Sequence, residues 1–141
     1  MNLLITGGAG FIGSTLADKL LKIESNNIIV IDNFNDYYSP KLKEKNIKHN
    51  LDNKKYKLYR GDICDKSLLS RIFNESKIDI VVHIAASAGV RPSIDKPLDY
   101  IKNNIEGTVN ILEVMKKNNV KKIVFASSSS IYGNCKEEVF S

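Results

Sequence analysis

The sequence predicts an α/β fold, a doubly wound parallel sheet of about five strands with helices on both faces. Apolar, strand-like runs alternate with segments of helical periodicity along the whole chain. A glycine-rich turn joins the first strand to the first helix, and an aspartate ends the second strand. Together these observations favour the strand order 3-2-1-4-5, in which ligands bind beyond the carboxyl ends of the strands.

The first strand, residues 2–5, runs into the segment TGGAGFIG, which opens an apolar helix. Gly7 and Gly8 allow the chain to reverse at the strand end. Gly10 lacks the Cβ that would keep a pyrophosphate away from the backbone, and Gly13 allows the helix to lie close to the sheet. The helix N-terminus offers unpaired N–H groups to phosphates. This context predicts a dinucleotide site; the alternative is a tight turn without a ligand.

Asp32 ends the second strand, residues 28–31. A carboxylate at this position accepts hydrogen bonds from ribose hydroxyls and repels a 2′-phosphate, which favours NAD over NADP. The alternative is an exposed aspartate that begins a loop. Asn33 either shares the ribose contact or simply starts that loop.

The middle of the chain continues the alternation. The polar segment 33–55 is predicted to be a loop with a short helix from Pro40, a residue favoured in a first helical turn. Residues 56–60 alternate like a third strand, and Asp65 is suited to cap the following helix. The run 78–84 is almost continuously apolar, as in a buried central strand.

The last elements are a helix from about 97 to 118 and a fifth strand at 121–126. Gly107 inside the helix costs about 1 kcal/mol relative to alanine, which predicts close packing there. One face of this helix carries a row of apolar side chains, Leu98, Ile101, Ile105, Val109 and Leu112.

Composition limits the function classes. The chain has 141 residues, 43% of them apolar, which suits one soluble domain. No apolar run approaches the roughly 20 residues that span a bilayer, and the N-terminus lacks a signal-peptide pattern, so we expect no membrane partner and a cytoplasmic protein. Cys64 and Cys135 are too few for a disulfide framework or a metal site.

The net charge of +5 comes largely from a lysine-rich segment, residues 41–60. This segment lacks a recognisable nucleic-acid motif, so a solvated surface is favoured over a nucleic-acid partner. A modest basic field also suits a polyanionic substrate such as a nucleotide sugar.

Residues at the ends of the third and fourth strands are further candidates. Asp62 is suited to accept a hydrogen bond from an adenine amino group, with the backbone of Ile63 beside the ring; the alternative is a turn aspartate. Ala85 and Ala86 are small enough for a cofactor to lie against the backbone. His83 is predicted to be a packed or hydrogen-bonded strand residue rather than a catalyst.

Several polar residues follow the fourth and fifth strands. Asn103 or Asn104 either fixes the active-site loop by hydrogen bonds or is exposed on the helix. Arg91 either pairs with a phosphate or carboxylate or lies on the surface. The serine run 127–130 leaves the fifth strand at its carboxyl end, where catalytic hydroxyls belong, although serine clusters also occur in plain loops.

These motifs together resemble the extended short-chain dehydrogenase/reductases, the NAD-dependent epimerase/dehydratase family. The resemblance rests on TGGAGFIG, Asp32, GDI, HIAA, KNN and SSSSIYGN, and covers essentially the whole chain. The stretches DNFNDYYSPKLKEKNI and AGVRPSIDKPLDY are most similar to UDP-glucuronate 4-epimerases. The resemblance implies a Rossmann-type fold and a permanently held NAD that acts as a transient oxidant. It also implies a UDP-sugar substrate, epimerised through a 4-keto intermediate to UDP-galacturonate, and a possible homodimer of the full-length enzyme.

By the same resemblance, Ser128 is the catalytic serine, with Ser129 as the alternative, and Arg91 lies near the substrate. The positions that match cofactor-binding residues of the family are Gly7, Gly10, Phe11, Ile12, Gly13, Asp32, Asn33, Asp62, Ile63, Ala85, Ala86 and Asn104.

The sequence departs from the family in one respect. The family's base is the tyrosine of a Tyr-x-x-x-Lys motif about twenty residues beyond the Tyr-Gly pair, and the sequence ends at Ser141. Two other pairs have this spacing, Tyr37 with Lys41 and Tyr132 with Lys136, and neither is expected to be the base. We therefore expect residues 1–141 to be an incomplete NAD-binding domain, truncated before the last strands, without the C-terminal substrate domain and inactive alone.

Two other functions fit the same motifs. A nucleotide-sugar dehydratase or decarboxylase shares every cofactor motif with the epimerases. A non-catalytic NAD-binding module would need only the glycine turn and Asp32.

Overall fold

The computed structural model describes residues 1–133 and contains a parallel five-stranded sheet. The strand order β3-β2-β1-β4-β5 confirms the prediction. The central strand β1 pairs in register with β2 and with β4, so that Thr6 lies beside Ile31 on one side and His83 on the other. The strands are β1 Asn2–Thr6, β2 Asn27–Asp32, β3 Tyr56–Arg60, β4 Ile80–His83 and β5 Lys122–Phe125.

Helices connect these strands, and their ends follow the predicted caps. Pro40 occupies the first turn of its helix, and Asp65 accepts hydrogen bonds at 3.0 Å from the backbone N–H groups of Ser67 and Leu68. The helices are α1 Phe11–Leu21, α2 Pro40–Ile47, α3 Lys66–Ser76, α4 Val90–Asp95, α5 Pro97–Tyr100 and α6 Gly107–Lys117, with a π-helical segment Ile101–Glu106 before α6 and 3₁₀ turns Lys48–Asn50 and Ser129–Tyr132.

The core lies on both faces of the sheet. On one face, Leu4 packs with side chains of α3 and α6, including Phe73 and Ile111. On the other face, Leu3 and Ile5 pack with side chains of α1 and α2. Successive side chains of a strand point to opposite faces of the sheet and enter different clusters. Helices therefore cover both faces, as in a doubly wound sheet.

The segment from Pro97 to Asn118 differs from the single regular helix that the periodicity predicts. A π-helical segment interrupts it, and β4 before it is shorter than the predicted strand. Gly107 approaches Ile63 so closely that a Cβ would lie 2.4 Å from the Ile63 Cδ1 atom, which confirms the predicted close packing.

The apolar row on this helix faces away from the sheet. Its members, from Leu98 at 76% exposed to Leu112 at 47%, lie on the surface, whereas Ile111, Val114 and Met115 face the core. The helix is apolar on both sides, so periodicity alone does not identify the side that packs against the sheet.

Candidate functional site

The glycine turn between β1 and α1 is supported by the segment that follows β4. Gly7 has φ +70°, a left-handed conformation, and its N–H donates to the Ile31 carbonyl at 2.8 Å. A Cβ on Gly7 would lie 3.0 Å from the backbone of Ala85. A Cβ on Gly13 would lie 2.4 Å from the Gly7 carbonyl oxygen, so the first turn of α1 needs a glycine to fit against the reversal.

Asp32 is buried at the end of β2 and its carboxylate is held by three donors. The side chain is 4% exposed, so the interpretation as an exposed loop aspartate is wrong. Its Oδ2 atom accepts from the Ala9 N–H at 3.1 Å, and Oδ1 accepts from the Phe34 N–H at 2.9 Å and from the Lys43 Nζ at 3.2 Å. The carboxylate is therefore fixed directly beside the glycine turn.

Asn33 and Asp62 join the loops that follow β2 and β3. The Asn33 side-chain amide donates to Asp62 Oδ2 at 2.9 Å, and the Cys64 N–H donates to Asp62 Oδ1 at 2.8 Å. Burial raises the pKa of Asp62, but these hydrogen bonds outweigh it and hold the pKa below its usual range. Asp62 is thus an ionised acceptor at neutral pH.

The loop after β4 is fixed by two asparagines of the π-helical segment. The Asn104 side chain accepts from the Ser87 N–H at 2.7 Å and donates to the Ser87 carbonyl at 2.9 Å. The Asn103 amide donates to the Ser87 hydroxyl at 2.7 Å. This confirms that an asparagine here fixes the loop, and both asparagines take part.

His83 is buried between β1 and α6. It is 2% exposed, and its Nδ1 and Nε2 atoms lie 2.7 Å and 3.0 Å from the hydroxyls of Thr6 and Thr108. Burial lowers the pKa of His83, so the imidazole is neutral at pH 7. The prediction of a packed, hydrogen-bonded histidine is confirmed.

The glycine turn and the three loops enclose a cleft of about 290 Å³ at the carboxyl edge of the sheet. Its lining includes the predicted cofactor residues Gly7, Gly10, Phe11, Ile12, Gly13, Asp32, Asn33, Asp62, Ile63, Ala85 and Ala86. Asn104 lies behind this lining and holds Ser87, whereas Asn103 and Ser87 reach the cleft. Sequence reasoning missed Lys43, Asn35, Tyr37 and Tyr38, which also line it.

The predicted catalytic and substrate residues lie outside this lining. Ser128 and Ser129 are exposed after β5, where the Ser128 hydroxyl accepts from the Ser130 N–H at 3.2 Å. Arg91 is exposed on α4. Both groups nevertheless follow the carboxyl ends of strands in the same parallel sheet, at the edge where the cleft lies.

Of the two Tyr-x-x-x-Lys pairs that the sequence contains, only Tyr37 with Lys41 lies wholly within the described residues. Tyr37 lies in the loop before α2 and Lys41 lies on α2, so this pair does not share a helix. Tyr132 lies in a short 3₁₀ turn. Its partner Lys136 lies outside the described residues, as does Cys135.

Within residues 1–133, the helices lack the length and the apolar character that a membrane span requires. The same range contains no group of three or more side chains of the types that hold a metal ion.

The family model and the relatives that match the chain carry the names of nucleotide-sugar enzymes. The profile of the GDP-mannose 4,6 dehydratase family matches residues 4–141. A UDP-glucuronate 4-epimerase from Thermodesulfobacterium geofontis is 44% identical over 92% of this chain and 40% of its own length. A UDP-glucose 4-epimerase from Yersinia enterocolitica is 41% identical over 94% of this chain and 38% of its own length. The chain therefore spans about two fifths of the length of these relatives.

Solved structures show the same fold. The UDP-glucuronic acid 4-epimerase of Bacillus cereus, in complex with UDP-glucuronic acid and NAD, superposes with a TM-score of 0.89 at 38% identity, over 99% of this chain and 44% of that one. The UDP-glucose 4-epimerase of Bifidobacterium longum, in complex with NAD⁺ and UDP, superposes with a TM-score of 0.84 at 40% identity, over 99% and 41%.

Proposed function

Because the chain belongs to the GDP-mannose 4,6 dehydratase family, we propose that it binds NAD and forms the cofactor-binding part of a nucleotide-sugar 4-epimerase. The observation that carries the proposal is the Asp32 carboxylate, fixed beside the glycine turn in the cleft at the carboxyl edge of the sheet. This is where the fold binds the adenosine ribose of a dinucleotide.

The residues present fit a dinucleotide along its length. Gly10, which has no side chain and lines the cleft, and the N-terminus of α1 suit the pyrophosphate, since a helix N-terminus offers N–H donors and a partial positive charge. Asp32 suits the ribose diol, and the ionised Asp62 suits the adenine amino group. Ala85 leaves room for the cofactor beside the turn.

When bound in this cleft, NAD would supply the reversible hydride acceptor that a 4-epimerase needs at the sugar C4. We propose that Ser128, or its neighbour Ser129, binds the reacting sugar oxygen and that Arg91 pairs with the anionic substrate. UDP-glucuronate is the favoured substrate because 4-epimerases of this sugar recur among the relatives. The first alternative is a nucleotide-sugar dehydratase, which the name of the family profile supports.

Cofactor binding tests the first part of this proposal. The purified chain is titrated with NAD in a calorimeter, and Asp32→Ala is compared with Asp36→Ala, which removes an exposed carboxylate four residues away. We expect Asp32→Ala to weaken binding at least about tenfold, which is about 1.4 kcal/mol, and Asp36→Ala to leave it unchanged. Absence of NAD binding by the native chain, or equal affinities for the two variants, would refute the proposal.

The substrate is tested separately. We propose that residues 1–141 hold the cofactor without turning over the sugar; the proposal is supported by Tyr37 and Lys41, which do not share a helix. The purified chain, saturated with NAD, is incubated with UDP-glucuronate, and the nucleotide sugars are separated by chromatography. Formation of UDP-galacturonate would contradict this part of the proposal, and formation of a 4-keto-6-deoxy sugar from another nucleotide sugar would favour the dehydratase.

A further inference from the structure

Lys43 is a buried lysine on α2 that points into the ribose end of the cleft. Its side chain is only 7% exposed, and it lines the cleft. Lysine is almost never buried without a partner, and here the partners are Asp32 and Asn35. The Nζ atom lies 3.2 Å from Asp32 Oδ1 and 2.9 Å from Asn35 Oδ1. It also lies 5.4 Å from the centre of the Tyr38 ring. The ammonium is therefore held in place by three separate groups.

Asp32 and Lys43 form an enclosed ion pair, with side chains 4% and 7% exposed. The two charges offset each other within the ribose pocket. Arg60, which lies opposite Asp32 in the register of β2 and β3, is already paired with both oxygens of Glu44. Lys43, whose carboxylate partner within residues 1–133 is Asp32, is thus a cation whose charge becomes available if that carboxylate is neutralised.

We propose that Lys43 is a specificity-determining residue, a phosphate-accepting cation that Asp32 masks. This inference rests on the proposed binding of NAD. While Asp32 is ionised, it occupies Lys43 and repels a dianion, so the pocket accepts a ribose with a free 2′-hydroxyl. When the carboxylate becomes a neutral amide, Lys43 keeps its bond to Asn35 and is left to bind a 2′-phosphate, for which lysine is a common ligand. Discrimination between the two dinucleotides therefore depends on one charge.

A purely structural role for Lys43 makes a different prediction. If the lysine only tied α2 to β2, its loss would lower stability and would weaken both dinucleotides alike. A masked phosphate ligand instead produces a gain of NADP affinity in an Asp32 variant, and that gain disappears when Lys43 is also replaced. The coupling between the two positions is the readout.

The experiment measures Kd for NAD and for NADP by calorimetry on the native chain, Asp32→Asn, Asp32→Asn/Lys43→Met and Asp32→Asn/Lys43→Arg. We expect Asp32→Asn to bind NADP at least about tenfold more tightly than the native chain does. Lys43→Met in that background is expected to abolish the gain, and Lys43→Arg to retain it. Far-ultraviolet circular dichroism and thermal midpoints establish that each variant is folded.

The outcomes separate this inference from the proposed function. An NADP gain that survives Lys43→Met, or the absence of any gain in folded Asp32→Asn, would overturn the role of Lys43 while the native NAD affinity stands. If Lys43→Met prevents folding, Lys43→Arg decides, since loss of the gain in a folded, positively charged variant refutes the role. A native chain that binds neither dinucleotide would overturn both conclusions.

Discussion

The Thr6 hydroxyl lies 2.7 Å from Nδ1 of His83 and donates its proton to that nitrogen. The direction follows from the other bonds, because the same oxygen accepts N–H groups from Ile84 and Ala85 at 3.1 Å each. The Thr108 hydroxyl gives its proton to the Asn104 carbonyl, so it accepts from the Nε2–H of His83. The neutral imidazole is therefore hydrogen-bonded at both ring nitrogens, to Thr6 on β1 and to Thr108 on α6.

Stability is expected to decrease in mild acid because of His83. Its native pKa is lowered by burial, so below about pH 6.5 the unfolded chain takes up a proton that the native chain does not. The free energy of unfolding then falls as the pH drops below about 6.5, and levels off once the pH passes the native pKa. Urea unfolding at several pH values between 5 and 7.5 measures this slope.

His83→Gln provides the comparison for that slope. The variant is less stable at pH 7 but has no imidazole to titrate. We expect its free energy of unfolding to change less between pH 7 and pH 5.5 than that of the native chain. Equal slopes in the two proteins would show that other groups cause the acid sensitivity.

Thr6→Val is expected to destabilise the native state by about 1–3 kcal/mol, the usual cost of leaving buried polar groups without a partner. Valine has a similar shape but removes the acceptor for the Ile84 and Ala85 N–H groups and the donor to His83. Thr6→Ser keeps the hydroxyl and is the matched control. Chemical denaturation measures both, and a Thr6→Val variant as stable as Thr6→Ser would contradict the assigned network.

Alanine at Gly13 and at Gly10 is expected to separate stability from binding. A Cβ on Gly13 meets the Gly7 carbonyl oxygen at 2.4 Å, so Gly13→Ala is expected to lower stability by about 1–3 kcal/mol. A Cβ on Gly10 lies 3.2 Å from the same oxygen and 3.5 Å from the Tyr38 hydroxyl, and Gly10 lines the proposed cofactor cleft. Gly10→Ala is expected to weaken NAD binding at least about tenfold with a smaller loss of stability. Thermal unfolding and NAD titration of both variants test this, and the reverse ranking would refute it.

Asn104→Ala is expected to loosen the loop after β4. It removes both hydrogen bonds to the Ser87 backbone, whereas Asn103→Ala removes only the bond to the Ser87 hydroxyl. Hydrogen exchange of residues 85–89 is expected to accelerate more in Asn104→Ala than in Asn103→Ala, because local opening exposes these amides. Equal protection in the two variants would assign the loop's rigidity to other contacts.

The strand order and the backbone of the cleft follow from local sequence features. The alternation of strands and helices and a glycine turn ahead of Asp32 are sufficient for both, because parallel α/β sheets with this turn adopt only a few strand orders. Lys43 was beyond such reasoning, because its burial depends on how α2 folds back over β2. A lysine among other lysines on a polar helix carries no local sign that it pairs with Asp32.

The helix after the β4 loop shows a different limit. Its two apolar sides have similar periodicity, and the π-helical segment Ile101–Glu106 changes the phase between them. Which side meets the sheet is decided by Gly107 packing on Ile63, a contact between distant parts of the chain. The exposure of Ser128 and Ser129 after β5 likewise depends on contacts with distant parts of the chain, which the local sequence does not reveal.

Because β1 pairs with β4, the cleft cannot form until the chain has been synthesised as far as β4. The glycine turn emerges from the ribosome first, but its supporting partners, among them His83, come from a segment 77 residues later. Such long-range pairing forms late, because the intervening chain must be closed into a loop before the contact is made. A nascent chain that stops before β4 contains the glycine turn but lacks the segment around Ala85 that packs against Gly7. The cleft is therefore complete only once the chain has been made through the loop that follows β4, which supplies part of its lining.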